Sequence, residues 1–182
     1  MNKYGLRAEY IEKRKKLTAS ETEEMSRGIV SLVQSLEEYR AAETVAAYYP
    51  VNGEADTRAL FCGKTVALPV CTGKNMNFYK EYEKLETGDF GIPKPCGGHY
   101  VPPEEIDFII VPAVVLGRNF HRIGYGGGFY DRFLPKTGKR CIKCGIGYDF
   151  QLIENIKAER CDIPLNIIVT NKEIIKNEQH PL

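Results

Sequence analysis

Four glycines within five residues, Gly124, Gly126, Gly127 and Gly128, constrain this chain more than any other feature. They lie in the stretch Arg122-Ile-Gly-Tyr-Gly-Gly-Gly-Phe-Tyr-Asp-Arg132. Glycine reaches positive φ without steric cost and lets a ligand come close to the main chain. Successive exposed N–H groups then form a concave anion site, and a helix starting just beyond adds the positive end of its dipole. The apolar run Phe108-Ile-Ile-Val-Pro-Ala-Val-Val-Leu116 leads into this region. Strand, glycine loop and helix in that order are a common frame for holding phosphates. The stretch is not a Walker A loop, since no Gly-Lys-Ser/Thr ending is present, and it lacks the G-x-G-x-x-G spacing. A tight surface turn built from glycines is the plain alternative. Arg122, Tyr130, Asp131 and Arg132 around it are more than such a turn requires. Arg132 can equally cap or solvate the first turn of the helix.

Elsewhere the pattern alternates between helix and strand. Residues 3–16 carry Leu6, Tyr10 and Ile11 among many charges, with Leu17 just beyond, which suits an amphipathic helix. Thr18 and Ser20 precede Glu21 and Glu23, giving two overlapping capping boxes. A second helix then runs to about Tyr39, with Met25, Ile29, Leu32, Val33 and Leu36 on one face. Residues 44–49 read as a buried strand, 50–53 as a turn and 54–62 as a short helix. Strands follow at 64–70 and 75–79. Residues 83–103 read as a long loop rich in Gly and Pro, of a length that often carries function. Residues 106–111 form the most apolar strand, a helix begins near Phe129, and the last strands are 140–147 and 166–170. This order predicts one α/β domain over residues 1–182, with helices on both faces of a mainly parallel sheet. Ligands gather beyond the carboxyl ends of such strands, which puts 49–54, the loop after Val111 and the segment after Gly147 on one rim.

Charge and cysteine content narrow the function classes. There are 25 Lys and Arg against 24 Asp and Glu, a net charge of +1. That balance gives no global attraction to nucleic acid or anionic membrane, so any anion site is local. The longest apolar run has nine residues, too short to span a bilayer. The N-terminus reads as a charged helix rather than a signal peptide, and a cytoplasmic location is expected. Cys62, Cys71, Cys96, Cys141, Cys144 and Cys161 then read as free thiols. A zinc site from Cys96, His99, Cys141 and Cys144 is the alternative. Against it, positions three apart on a strand point to opposite faces.

Single residues carry two readings each. Lys3 and Arg7, one helical turn apart, can reach a polyphosphate together, while the charges of the first helix, Lys13 to Lys16 included, otherwise form a solvated face. Glu54 is either an acid favoured by a helix N-terminus or an acceptor for a heterocycle with N–H donors. Phe90 is a stacking wall or a loop anchor beside the rigid Gly91-Ile-Pro-Lys-Pro95. Asp131 is either favoured by the helix dipole alone or a Mg²⁺ ligand beside phosphates.

These residues resemble the 5-formyltetrahydrofolate cyclo-ligase family, also called 5,10-methenyltetrahydrofolate synthetases. The likeness includes Lys3-x-x-Leu6-Arg7, Tyr49, Gly53-Glu54-Ala-Asp-Thr57, Gly63-Lys64, Leu68-Pro69, Phe90 to Pro95, Val111-Pro112, and 162–170. The segment from Arg122 to Leu134 is its most specific piece. The resemblance implies ATP-dependent cyclisation of 5-formyltetrahydrofolate to 5,10-methenyltetrahydrofolate, with release of ADP and phosphate. It implies that Lys3, Arg7, Arg122, Gly124, Tyr125, Gly126, Gly127, Gly128 and Tyr130 bind ATP, with Arg122 and Tyr130 as the catalytic pair. Tyr49, Glu54, Phe90, Tyr125 and Phe129 would line the folate pocket, and Asp131 and Asn166 would hold Mg²⁺. The implied fold is a three-layer α/β sandwich related to ribose-5-phosphate isomerase and CoA-transferase domains. The implied partners are small molecules only, with no nucleic acid or membrane, and the expected state is a monomer.

The chain departs from the family pattern at four places. Val70 stands where the family has Arg, Lys94 where it has an acid or Gln, Leu116-Gly117 where it has Phe-Asp, and Asn166 where it has Asp. Asn keeps a carbonyl oxygen but loses the charge, so a raised Mg²⁺ requirement is expected, one that Asn166→Asp would lower. A non-catalytic folate- or nucleotide-binding paralogue is the main alternative, and an ATP-independent sugar-phosphate isomerase or CoA-transferase-like enzyme is the third reading.

Overall fold

The computed structural model describes residues 2–88 and 91–178. Helix α1 (Lys3–Lys15) starts at Asn2, whose side chain accepts the Gly5 N–H. Helix α2 (Ala19–Ser35) has the capping box expected at Thr18: Thr18 Oγ1 accepts the Glu21 N–H, and the Glu21 carboxylate accepts the Thr18 N–H at 2.8 Å. The second helix does not continue to Tyr39. Leu36 turns extended at ψ 129° and a new helix, α3 (Glu37–Ala41), begins. The break buries Leu36 and Tyr39 together, and the Tyr39 ring meets Phe108 edge-on at 5.5 Å.

The strands are β1 (Thr44–Ala46), β2 (Thr65–Thr72), β3 (Asn75–Lys80), β4 (Lys84–Thr87), β5 (Pro93–Cys96), β6 (His99–Val101), β7 (Phe108–Pro112), β8 (Val115–Gly117) and β9 (Arg122–Ile123). Helix α4 (Phe129–Phe133) follows, then β10 (Ile142–Ile146), β11 (Leu152–Ile153), β12 (Ile167–Val169) and β13 (Ile174–Lys176). Eight strands form one sheet in the order β13-β12-β10-β7-β1-β2-β3-β6. The run from β12 to β2 is parallel, and the pairs at both edges are antiparallel. The sheet is therefore mixed, with a parallel centre.

Period-two alternation sorts the core. Phe108 and Ile110 face the side covered by Ile29 and Val33 of α2, Leu36 at the break and Tyr39 of α3. Ile109 and Val111 face the side covered by Phe133 of α4 and by Leu134. Each such fully buried side chain contributes roughly 1.5–3 kcal/mol, so β7, buried on both faces, is the spine of the fold. A third cluster packs Tyr10 of α1 on Val114, Val115, Ile123 and Ile156, beside the small sheet β11-β8-β9. That contact seats α1 over the segment that carries the glycines.

Several expectations are corrected. Residues 83–103 are not a loop: β4 and β5 form a hairpin, and β6 joins the edge of the main sheet. The helix expected over 54–62 is only a 3₁₀ turn, Arg58–Phe61. The strand near 166–170 is followed by β13. Among the described residues the alternative zinc grouping does not form, in line with the argument against it: Cys141 and Cys144 sit in the cores on opposite faces of the sheet, and burial pushes the Cys141 thiol up to about 11. None of the six cysteines, all within the described residues, is in a disulfide. Among the described residues, no helix is long and apolar enough to cross a membrane.

Candidate active site

The carboxyl end of β1 leads through Tyr48 and Tyr49 into a turn in which Asn52 and Gly53 have positive φ. Buried hydrogen bonds fix this turn. Tyr48 Oη donates to the Ala55 carbonyl at 2.9 Å, Thr57 Oγ1 to the Tyr48 carbonyl at 3.3 Å, and Tyr148 Oη to the Gly53 carbonyl at 3.2 Å. The Asp56 N–H donates to Ser26 Oγ at 3.0 Å. The turn delivers Glu54, 8% exposed, with its carboxylate accepting the Val51 N–H at 3.1 Å. Burial pushes the Glu54 carboxyl up to about 7, against the opposing pull of that N–H and of the Arg14 charge. An acid that titrates near neutrality in a cleft is suited to exchange hydrogen bonds with a heterocycle. Tyr49 stands on the same turn, with the Arg58 guanidinium 5.8 Å from its ring centre.

The glycine loop faces α1. Arg7 Nε donates to the Gly124 carbonyl at 2.7 Å, and its guanidinium lies where a Cβ at Gly126 would be 3.5 Å from it. Gly126 has φ 101° and Gly128 φ 64°, conformations that L side chains rarely adopt. Arg132 holds the other side, donating to the Gly127 carbonyl at 2.8 Å and to the Lys74 carbonyl at 2.9 Å in the turn between β2 and β3. Among the described residues, the N–H groups of Tyr125, Gly126, Gly127 and Gly128 donate to no protein acceptor. Carbonyls are thus engaged by arginines and N–H groups are left for an anion. The helix after the loop is a single turn, so its dipole adds less than the sequence led us to expect.

The remaining candidates divide. Arg122 is buried, donates to the Ile163 carbonyl at 3.0 Å and pairs with Asp131 at 2.7 Å. Its guanidinium lies 6.0 Å from the Tyr130 ring centre, and burial raises the Tyr130 pKa. Phe129 lies under the Arg132 guanidinium at 5.2 Å. Lys3 is drawn to two acids, Asp162 at 2.5 Å and Glu159 at 3.1 Å. Asn166 stands at the amino end of β12, where its amide oxygen accepts the Lys143 N–H at 2.9 Å, and no hydrogen bond joins it to Asp131. Phe90 lies outside the described residues.

Sequence reasoning missed Arg14 by counting it with the solvated charges of α1. It is 3% exposed, hydrogen-bonds the Tyr125 hydroxyl and lies 5.4 Å from that ring's centre. A signal was present: Lys3, Arg7, Tyr10 and Arg14 are spaced four, three and four apart, which is one helical face. Two of the four departures also become legible. A Cβ at Gly117 would meet Asn119 Oδ1 at 2.4 Å and Ile156 at 3.2 Å, so an aspartate there would have to displace the Asn119 side chain from the Ile156 N–H. Lys94 faces Glu86 across the β4–β5 hairpin at 3.5 Å.

The sequence model of the 5-formyltetrahydrofolate cyclo-ligase family matches residues 1–171. The protein named 5-formyltetrahydrofolate cyclo-ligase in Haemophilus influenzae is 31% identical over 173 residues, 88% of this chain and 92% of the relative. The Escherichia coli K12 protein of that name is 31% identical over 176 residues, 90% and 97% of the two chains. The NMR structure of Aquifex aeolicus 5,10-methenyltetrahydrofolate synthetase superposes with a TM-score of 0.87 at 35% identity, covering 97% of this chain and 93% of that one. The Mycoplasma pneumoniae 5,10-methenyltetrahydrofolate synthetase shares the fold with a TM-score of 0.79 at 24% identity.

Proposed function

The chain belongs to the 5-formyltetrahydrofolate cyclo-ligase family, and we propose that it converts 5-formyltetrahydrofolate and ATP to 5,10-methenyltetrahydrofolate, ADP and phosphate. The observation that carries the reading is the pairing of a loop with free N–H groups beside Arg7 and a buried acceptor at Glu54. The first suits polyphosphate, and the second suits the N–H donors of a reduced pterin. In the first step the γ-phosphoryl group moves from ATP to the formyl oxygen, and the β–γ bridge breaks to leave ADP. N10 then attacks the formyl carbon, its proton goes to solvent, and the C–O bond breaks to release phosphate.

The chain's part in phosphoryl transfer is to position groups and stabilise charge. Arg7 and the N–H groups of residues 124–128 hold the phosphates. Lys3 joins them by exchanging an acid partner for a phosphate oxygen. Tyr49, Glu54, Tyr125 and Phe129 border the folate. Arg122 acts through Asp131, whose orientation it fixes, and Tyr130 closes the floor of the loop. The donor set suits Mg²⁺ carried in with ATP: Asp131 has one oxygen on Arg122 and one available, and Mg²⁺ takes one or two carboxylates plus phosphate oxygens. When bound, the ion would neutralise charge on the transferring phosphoryl group. Asn166 fits this role only by giving up its bond to Lys143.

The reading treats residues 1–182 as one monomeric cytoplasmic domain. Its layered parallel centre is the basis for relating it to ribose-5-phosphate isomerase and CoA-transferase folds. A purely ligand-binding role is not favoured, because the relatives are named as ligases. The test mixes protein, MgATP and 5-formyltetrahydrofolate and follows the near-UV band of the methenyl product together with phosphate release. Absence of both sinks the reading.

A further inference from the structure

Arg14 is a buried cation with no carboxylate in ion-pair contact and with its Nε atom left without a partner. Burial lowers its pKa, and the largest opposing influence is the charge of Glu54, followed by Tyr48 and Tyr148. A guanidinium held this way is costly unless it has a task. Two observations indicate the task. Its terminal nitrogen hydrogen-bonds the Tyr125 hydroxyl and its plane lies 5.4 Å from that ring's centre. Tyr125 is 46% exposed and stands between Gly124 and Gly126, so its own backbone does little to fix it. The Arg14 stem, meanwhile, runs 3.5 Å from where a Cβ would sit on Gly53, the residue before Glu54.

We propose that Arg14 is a positioning residue shared by the two substrate pockets: it fixes Tyr125 on the ATP-binding loop and holds its charge beside the folate-binding Glu54. This rests on the assignment of ATP to the loop and folate to Glu54. The free Nε–H is then a donor for whichever ligand oxygen closes the gap between them. Arg14, Tyr48, Tyr130, Tyr148 and the Val51 N–H are the groups that act on Glu54. Burial raises all three tyrosines, so Glu54 alone among these titrates near neutrality.

The experiment measures kcat/KM for 5-formyltetrahydrofolate against pH, and KM for ATP, in the wild type, Arg14→Gln, Arg14→Lys and Tyr125→Phe. Removing the charge in Arg14→Gln moves the acid limb of the folate profile upward by about one pH unit and raises KM for ATP about tenfold. Arg14→Lys returns the limb to its wild-type position but leaves KM for ATP raised, because an ammonium lacks the planar fork. Tyr125→Phe raises KM for ATP without moving the limb, and adds nothing in the Arg14→Gln background. An unmoved limb in Arg14→Gln with a wild-type melting curve overturns the proposal. So does Arg14→Lys with a wild-type KM for ATP, which decides the matter if the Gln variant does not fold. A wild type that forms no methenyl product overturns the functional reading instead, and the proposal with it.

Discussion

Residues 50–57 and residues 124–128 meet at Arg14, and they are held in contrasting ways. The first segment is wired into the core through Tyr48, Thr57, Tyr148 and Ser26, and it places one buried acceptor, Glu54. The second is gripped at its carbonyls by Arg7 and Arg132 and at the Tyr125 hydroxyl by Arg14, and its N–H groups from Tyr125 to Gly128 stay open among the described residues. One wall is complete before any ligand arrives. The other is a set of donors that gains its partners from the ligand. Fixing an acceptor in low dielectric sharpens discrimination among heterocycles, because an unmatched partner leaves a buried polar group unsatisfied. A loop of free donors adapts to a charge distribution that shifts during transfer.

The sharpest way to break this contrast is Arg7→Ala. It should lower kcat/KM by roughly 10²–10³, the loss expected for one group on a transferring phosphoryl, with an unchanged far-UV circular dichroism spectrum. Activity within tenfold of wild type would show that the loop does not depend on its grip at Gly124. Gly126→Ala comes next. The site has room, since the nearest atom is 3.5 Å away, but φ 101° does not suit an L residue. A strain of about 1–3 kcal/mol should appear as roughly a tenfold higher KM for ATP with the KM for folate unchanged. A shift in the folate KM instead would erase the distinction between the walls.

The buried wall is tested by stability. The Glu54 carboxyl titrates near 7 in the folded chain, above its ordinary value of 4.5. Its contribution is therefore full below about pH 4.5 and lost as pH rises through about 7. Glu54→Gln keeps the acceptor for Val51 but never ionises. It should match the wild type at pH 5 and be more stable at pH 8.5 by about 2 kcal/mol, read from paired thermal melts. Equal melting at both pH values would mean that the acid is not desolvated. The smallest effect belongs to Asn166→Asp. With its oxygen already on the Lys143 N–H, the change should move the Mg²⁺ midpoint by less than about twofold. A marked drop in the Mg²⁺ titration would bring Asn166 back to the ion.

Legibility in the sequence followed how local each signal was. The capping box at Thr18, the alternation through Phe108 to Val111 and the glycine loop were all readable, because each depends on neighbours in the chain. The β4–β5 hairpin was not, because Pro93 and Pro95 argue against a strand unless it lies in a two-stranded edge ribbon. The break at Leu36 was hidden by an unbroken helical periodicity that only the docking of Tyr39 on Phe108 interrupts. Strands β8, β9 and β11, of two or three residues, are too short to show a period. At the candidate site, Glu54 was singled out by its type and its turn and Arg7 by its spacing from Lys3, and the structure sets Arg7 against the glycine loop. Arg14 was lost because its charge suggested solvent, and only its register with Tyr10 argued otherwise.

The pairing of α1 with the glycine loop has a consequence for how the protein is made. Arg7 and Gly124 are separated by 117 positions, and Lys3 and Asp162 by 159. At about 5–20 residues per second, the first helix emerges from the ribosome roughly 6–23 seconds before the carbonyl that Arg7 must grip. Until then Lys3 and Arg7 lack the partners they hold in the folded chain, and the half of the site proposed to hold phosphates cannot assemble. On the proposed assignment, competence to bind ATP therefore arrives late in translation, set by the most distant contact rather than by the first element to fold.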